Sequence, residues 1–268
     1  MACKLFDLTG KTAVVVGGAG GLGQAIAQGL AEAGAKVLIS SRKEDSLRKA
    51  QSEIKAATGI DVCWFAADAT NEAQVAALVE DAKRQLGGKV TILVNAQGFN
   101  KKMDALEFDM SAFSEMLTAN VVSVMNTCKV FGKHMASNGY GKIVNLSSVR
   151  GKIATKTPGN AGYCTTKGAV DMLTKQLASE FGPFGITVNA IGPNITATPM
   201  MVSIFEKRAA DAGVDVDTYL KQQGAGIPMR RMATPEDSVG AAVFLCCPAS
   251  DFVTGNIIYP DGGLTAIG

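Results

Sequence analysis

Thr12-Ala13-Val14-Val15-Val16-Gly17-Gly18-Ala19-Gly20-Gly21-Leu22-Gly23 is an apolar, valine-rich run that breaks into a glycine-rich turn. Branched apolar residues without alternation suit a strand buried on both faces. After the turn the period changes. From 21 to 33 apolar residues recur at helical spacing until Gly34 stops the pattern. Strand, glycine turn and helix open a βαβ unit. The rest of the chain repeats that rhythm. Strand-like runs at 11–16, 36–40, 61–66, 90–94, 142–146, 187–190 and 257–259 are separated by helical patterns at 21–33, 43–57, 71–86, 111–137 and Ala161–Phe181. The alternation predicts an α/β fold, a doubly wound parallel sheet with helices on both faces. Residues 1–268 read as a single domain. The exception is a mixed helical stretch at about 196–232, an insertion placed late enough to serve as a small helical substrate lid.

Composition narrows the function classes. The 268 residues are 47% apolar and 19% charged, enough for a large core without staples. The net charge is +2 and there is no long basic run, so no nucleic-acid partner is expected. The apolar runs are too short to cross a bilayer, and the N-terminus, with Met1, Ala2 and Cys3, has no secretory core; no membrane association is expected. Cysteines at 3, 63, 128, 164, 246 and 247 show no C-x-x-C spacing, which fits buried, reduced thiols and a cytoplasmic address. His134 is the only histidine and has no partner for a zinc site, so no metal is expected and a satisfied helix histidine is the better reading.

Chemistry enters with Gly162-Tyr163-Cys164-Thr165-Thr166-Lys167. Tyr163 and Lys167 are four apart and share one helix face. A phenol begins near pKa ~10, and acting as a base near neutrality requires a fall worth about 3–4 kcal/mol. An ammonium about 4–5 Å away supplies roughly that much at an effective dielectric of ~20. The glycine turn suggests the other half of the site, since it lets backbone close on a dinucleotide pyrophosphate at a helix N-terminus. At the end of the second strand, Ser41 stands where a carboxylate would bind ribose hydroxyls, and Arg42 and Lys43 follow. A guanidinium forks well onto a 2′-phosphate, which favours NADP(H), with NAD(H) as the alternative and a solvated Arg42 as the bland reading.

Gly17, Gly21 and Gly23, spaced G-x-x-x-G-x-G and joined to the Tyr-x-x-x-Lys pair, resemble the short-chain dehydrogenase/reductase family, within the branch of gluconate 5-dehydrogenases and 3-oxoacyl-carrier-protein reductases. Val16 departs from the family's threonine. The resemblance covers the whole chain and implies a Rossmann-like fold. It implies a catalytic group of Asn120, Ser148, Tyr163 and Lys167, in which Ser148 polarises the substrate oxygen, Tyr163 gives or takes the proton and Asn120 holds a relay water. The loop 150–162 is slightly long for the family. Cofactor contacts are implied at Gly17, Gly21, Leu22, Gly23, Asp68, Ala69, Asn95, Gly98, Tyr163, Lys167, Pro193, Ile195 and Thr198. Ala96, Gln97 and Asn194 depart from the pattern. Asn194 replaces a glycine, and asparagine accepts a positive φ better than most residues. Asp261-Gly262-Gly263 matches the family's C-terminal signature.

The implied activity is reversible reduction of a ketone, with a keto sugar acid such as 5-ketogluconate as the favoured substrate. Reduction of an acyl-carrier-bound ketone or of another ketone, with polyols and hydrophobic ketones open, and a non-catalytic NADP(H) sensor are the alternatives. Lys101, Lys102, Arg150, Lys152 and Lys156 lie near the expected mouth, either as a solvated rim or as a pocket for an anion. The resemblance also implies a homotetramer. Val121, Val122, Val124 and Met125, with Val170, Met172, Leu173 and Leu177, spread apolar surface around two helices, more than one sheet face can cover.

Overall fold

The computed structural model describes residues 4–267, so the expectations on Met1, Ala2 and Cys3 lie outside it. Seven parallel strands form one sheet: β1 (Thr12–Val16), β2 (Lys36–Ser41), β3 (Cys63–Ala66), β4 (Ile92–Asn95), β5 (Gly141–Leu146), β6 (Ile186–Ile191) and β7 (Ile257–Ile258), in the order β3-β2-β1-β4-β5-β6-β7. The register runs Val14↔Leu38 on one side of β1 and Val14↔Leu93 on the other. The order reverses between β1 and β4, and in such sheets ligands bind at the strands' carboxyl ends beside that point.

Alternate residues of each central strand enter different cores. Ala13, Val15, Ile92, Val94, Val144 and Leu146 pack under α1 (Gly21–Glu32) and α2 (Glu44–Thr58). Val14, Val16, Leu93 and Ile143 pack on the opposite face, under α3 (Glu72–Leu86) and the helices that follow β4. This is why the strands read as unbroken apolar runs. The helices stop where left-handed glycines allow it, at Gly59 (φ 73°) and Gly87 (φ 100°). His134 accepts the backbone N–H of Val90 at 3.1 Å, so it is a satisfied helix residue. Disulfides are absent among the described cysteines; Cys128, Cys246 and Cys247 are buried, while Cys63 and Cys164 are half-buried. No helix of the described residues is long and apolar enough to cross a membrane.

The structure corrects several boundaries. The helix expected over 111–137 is three pieces: α4 (Met110–Leu117), a π-helical turn (Thr118–Val122) and α5 (Ser123–Asn138). The strand expected from Val90 pairs only from Ile92, because Val90 spends its N–H on His134. Two helices escaped the reading: the short α6 (Val149–Lys152) and α10 (Val239–Cys246), which lies after α7 (Ala161–Phe181), α8 (Pro199–Asp211) and α9 (Val216–Gly224). α10 is apolar around its girth, so it carries no helical stripe. Gly29 of α1 faces it; a Cβ there would overlap Val239. The helical excursion α8–α9 closes on the loop after β6 through an isolated bridge between Thr196 and Ala233.

Candidate active site

The loops at the carboxyl ends of β1, β4, β5 and β6 converge on one edge. After β1 the chain turns on Gly17, which has φ 79° and donates its N–H to Ser40 O at 2.8 Å. A Cβ on Gly17 would sit 2.6 Å from the backbone of Ala96 and Gln97, and one on Gly23 would strike the Gly17 carbonyl. Gly21 (φ 53°) packs against Thr198, whose methyl would be 3.5 Å from a Cβ there. The turn is therefore backbone against backbone. It presents the first amides of α1, including Leu22 and Gly23, to the space beside β1, an anion site that side chains would fill. Val16 sends its side chain into the core and does not reach the turn.

At the far end of that space lie Ser41, half-buried, and Arg42 and Lys43, both exposed. Across from them Asp68 accepts the backbone N–H of Thr70 at 2.9 Å and its hydroxyl at 2.7 Å. Those two bonds, then the Arg42 charge, hold its carboxyl below the usual range. Ala69, next in the chain, is buried and its carbonyl accepts from Asn126 at 2.8 Å.

β4 ends in a buried amide network. Asn95 donates to Asn145 at 2.9 Å and accepts from Thr127 at 2.7 Å, and Asn145 donates to Thr174 at 2.9 Å. Gln97 reaches into it, donating to Ser123 at 3.3 Å, but its Oε1 is buried without a partner. Gly98 (φ 141°) leaves space for Asn120. The π turn widens the helix where Asn120 sits, and such turns re-aim a side chain. Asn120 is fully buried, accepts from Phe99 N at 2.9 Å, and donates to Phe99 O at 2.8 Å and Thr166 Oγ1 at 3.1 Å. It thereby clamps the loop after β4 to α7.

Ser148 caps α6. Its hydroxyl accepts from Arg150 N at 3.1 Å, donates to the Pro193 carbonyl at 3.4 Å, and lies near enough to the Tyr163 phenol to pull it down. Pro193 O also accepts from Val149 N at 3.0 Å, which joins the loop after β6 to this turn. Ile195, next along, brings Ala233 in at its carbonyl. Thr198 caps α8 through Met201 N. Asn194 is not in the left-handed region, contrary to the expectation for a glycine site; its amide instead turns to Asp261 O at 3.4 Å.

Tyr163 and Lys167 share a face of α7, but their coupling differs from the simple one. The Lys167 Nζ lies 5.6 Å from the Tyr163 ring centre and donates to Leu146 O at 2.6 Å. Burial pushes the phenol up; the Ser148 hydroxyl and the Arg150 charge pull it down. Burial also draws the amine down to about 8, opposed by Asp171 one turn along. Lys167 is thus less than a full charge beside a solvated phenol, because both groups lose solvation on burial.

Of the five cations at the mouth, Lys102 and Arg150 come together. Burial lowers the Lys102 amine, and the charges of Arg208, on α8, and Arg150 lower it further. The Arg150 guanidinium donates to Ala154 O at 2.9 Å. Lys156 is exposed on the same loop. Lys101 instead acts on Asp109, at the start of α4. Lys152 turns to Thr265 at 3.3 Å and to the Tyr259 ring. Arg208 was missed because nothing in the sequence says which helix face meets the mouth. A cavity of about 210 Å³ lies apart from Tyr163, lined by Asn194, Ile227, Met229, Arg231 and Asp261. Among the described residues no cluster of His, Cys, Asp and Glu could hold a metal.

A doubly wound sheet with a glycine turn at its switch point, a serine just after β5 and a tyrosine–lysine pair on α7 has the arrangement of a nicotinamide-dependent oxidoreductase. The family model for enoyl-(acyl carrier protein) reductase matches residues 17–265. Gluconate 5-dehydrogenase of Gluconobacter oxydans is 36% identical over 97% of both chains. Galactitol 2-dehydrogenase (L-tagatose-forming) of Cereibacter sphaeroides is 34% identical, again over 97% of both. The crystal structure of a gluconate 5-dehydrogenase from Burkholderia cenocepacia, in complex with NADP and tartrate, superposes with a TM-score of 0.87 at 30% identity over 100% of both chains. The chain belongs to the short-chain dehydrogenase/reductase family and is an oxidoreductase acting on CH–OH groups.

Proposed function

We propose that this protein is an NADP(H)-dependent dehydrogenase/reductase that interconverts a secondary alcohol and a ketone on a sugar acid, with gluconate and 5-ketogluconate as the type pair. The observation that carries the reading is the positive charge of Arg150 acting on the Tyr163 phenol, with Lys102 beside it. A cation next to the proton donor suits a substrate that brings a carboxylate. The names of the relatives support the same class.

The glycine cradle, the α1 amides and Arg42 and Lys43 fit a phosphorylated dinucleotide. The bound nicotinamide supplies or takes the hydride. Tyr163 gives its proton to the carbonyl oxygen in reduction and takes it back in oxidation. Ser148, held by Arg150 N, turns its single proton from the Pro193 carbonyl to that oxygen as charge builds. Lys167 holds a positive charge behind the phenol, and Asn120 keeps the β4 loop registered on α7. α8 and α9 serve as the lid over the substrate.

We infer a homotetramer. Val124, Val170 and Leu177 are spent in the core of the subunit, but Val122, Met125 and Met172 are 51%, 39% and 63% exposed on α5, α7 and the turn between α4 and α5. A second subunit would cover them. Unpaired thiols support a cytoplasmic address.

The test is NADPH oxidation with 5-ketogluconate, a 3-oxoacyl thioester and neutral ketones, for the protein and for Tyr163→Phe. Turnover should be fastest with the acid. It should fall by about 10²–10⁴-fold in Tyr163→Phe, with NADPH binding retained. Preference for the thioester moves the reading to a carrier-protein ketone reductase. NADPH binding without turnover on any substrate makes the protein a sensor.

A further inference from the structure

Asp171 is a buried carboxylate for which the reading above has no use. It is 7% exposed, and its Oδ1 has no hydrogen-bond partner. Its Oδ2 accepts from the Tyr259 hydroxyl at 3.3 Å, and the Ser147 hydroxyl, which donates to the Lys167 carbonyl at 3.4 Å, lies near enough to pull the carboxyl down. Among the described residues it forms no ion pair. A half-satisfied buried carboxylate is costly where an apolar residue would fit. The surroundings are shaped to keep it. Gly151 faces it, and a Cβ there would overlap the Asp171 carboxylate and the Lys167 carbonyl. Gly192 gives its space to Tyr259; a Cβ would lie 2.5 Å from the ring.

Asp171 follows Lys167 by one helical turn on the same face of α7. Both are buried, so their mutual field is little screened.

We propose that Asp171 is a positioning residue whose fixed negative charge keeps Lys167 charged behind the reacting phenol, so that it sets the alkaline limit of catalysis. The inference rests on the assignment of Tyr163 and Lys167 as the acid–base pair. The groups that face them are few. On α7 they are Tyr163, Asp171 and Lys175; from the end of β5 come the Leu146 carbonyl and Ser147. Arg150 of α6 acts on the phenol, and Tyr259, with Lys152 over its ring, comes from the segment after β7. Asp171 is the carboxylate that acts on the Lys167 amine, while Asp261 acts on the Tyr259 phenol. Burial draws the Lys167 amine down, and Asp171 opposes that. Removing the charge lets the amine fall further, and the charged form is then lost at a lower pH. Burial raises the Asp171 pKa, so the effect fades toward acid, where Asp171 itself takes a proton.

The experiment compares the pH profile of kcat/KM for alcohol oxidation, where the phenolate is the base, in the protein, Asp171→Asn and Tyr163→Phe. Asparagine keeps the volume and can still accept from Tyr259. The alkaline limb should move down by about one pH unit, with the acid side and cofactor Kd unchanged. In the cofactor-free protein, the Lys167 Cε resonance, identified by its loss in Lys167→Met, should titrate lower by the same interval. If Asp171→Asn does not fold, Asp171→Ser should show the same shift. Coincident limbs and an unmoved Lys167 resonance overturn the proposal, while inactivity of Tyr163→Phe keeps the pair itself standing. An active Tyr163→Phe removes both.

Discussion

Lys167 donates to the carbonyl oxygen of Leu146 at 2.6 Å, at the last residue of β5. That bond anchors the amine to the sheet, in a place where water cannot solvate it. The folded-state value is drawn from 10.5 to about 8. A group depressed in this way costs stability while charged in the folded state, below about 8, and the cost disappears as pH rises to the unfolded value near ~10.4. Lys167→Met should therefore gain stability relative to the parent at pH 7 and lose that advantage by about pH 10. The difference between the two pH values should be on the order of 3 kcal/mol. Losing the bond to Leu146 offsets the gain by about 1 kcal/mol. Urea unfolding of both proteins at the two pH values measures it. Parallel stability curves would mean that Lys167 titrates as an ordinary lysine.

Arg42 is exposed at the end of β2, near enough to Asp68 to lower its carboxyl. Arg42→Asp puts a second carboxylate where the 2′-phosphate would bind. The ratio of kcat/KM for NADPH over NADH should fall by about tenfold to a hundredfold, the value of one charge-assisted bond turned to repulsion. An unchanged ratio would shift phosphate recognition to Lys43.

Residues whose role depends on local spacing were legible in the sequence. Gly17, Gly21 and Gly23 announce a turn, Gly17 and Gly23 because a Cβ would overlap backbone and Gly21 because its φ is positive, and α7 shows Tyr163 and Lys167 on one face because helical geometry fixes it. The helix over 111–137 read as continuous, since the π turn around Asn120 adds one residue without changing composition. α10 was invisible because a helix apolar on every side has no stripe. The strength of the coupling between Tyr163 and Lys167 is not legible in their spacing, because burial is a property of the whole fold. Asp171 was in plain spacing from Lys167, but only packing against Gly151 and Tyr259 shows that it is buried.

Gly17 and Gly59 make a controlled pair for the turn. Both have positive φ, 79° and 73°. A Cβ on Gly17 would be 2.6 Å from the Ala96 and Gln97 backbone, whereas nothing lies within 4 Å of one on Gly59. Gly59→Ala should cost only the left-handed penalty, about 1–2 kcal/mol. Gly17→Ala adds overlap with rigid backbone, for a total of roughly 2–5 kcal/mol, and should abolish cofactor binding. Thermal melts and NADPH titration separate the two. Equal losses in both variants would mean that the β1 and β4 loops part easily.

The mouth is tested most cleanly at Lys102. Arg150 also holds Ala154 O at 2.9 Å, so replacing it loosens the loop as well as removing charge. Lys102→Met keeps the stem that packs by Gly159, where a Cβ would lie 3.3 Å from the Lys102 Cβ. If Lys102 meets a substrate carboxylate, KM for 5-ketogluconate should rise about ten- to hundredfold, the ~1.5–3 kcal/mol of a charge-assisted hydrogen bond. KM for a neutral ketone should change by less than about threefold, because a neutral ketone brings no charge for Lys102 to pair. Arg150→Met should do the same with an added loss of kcat, since its charge lowers the Tyr163 phenol. Should neither variant raise KM for any acid, the cations are a solvated rim, and a carrier-bound ketone becomes the better substrate.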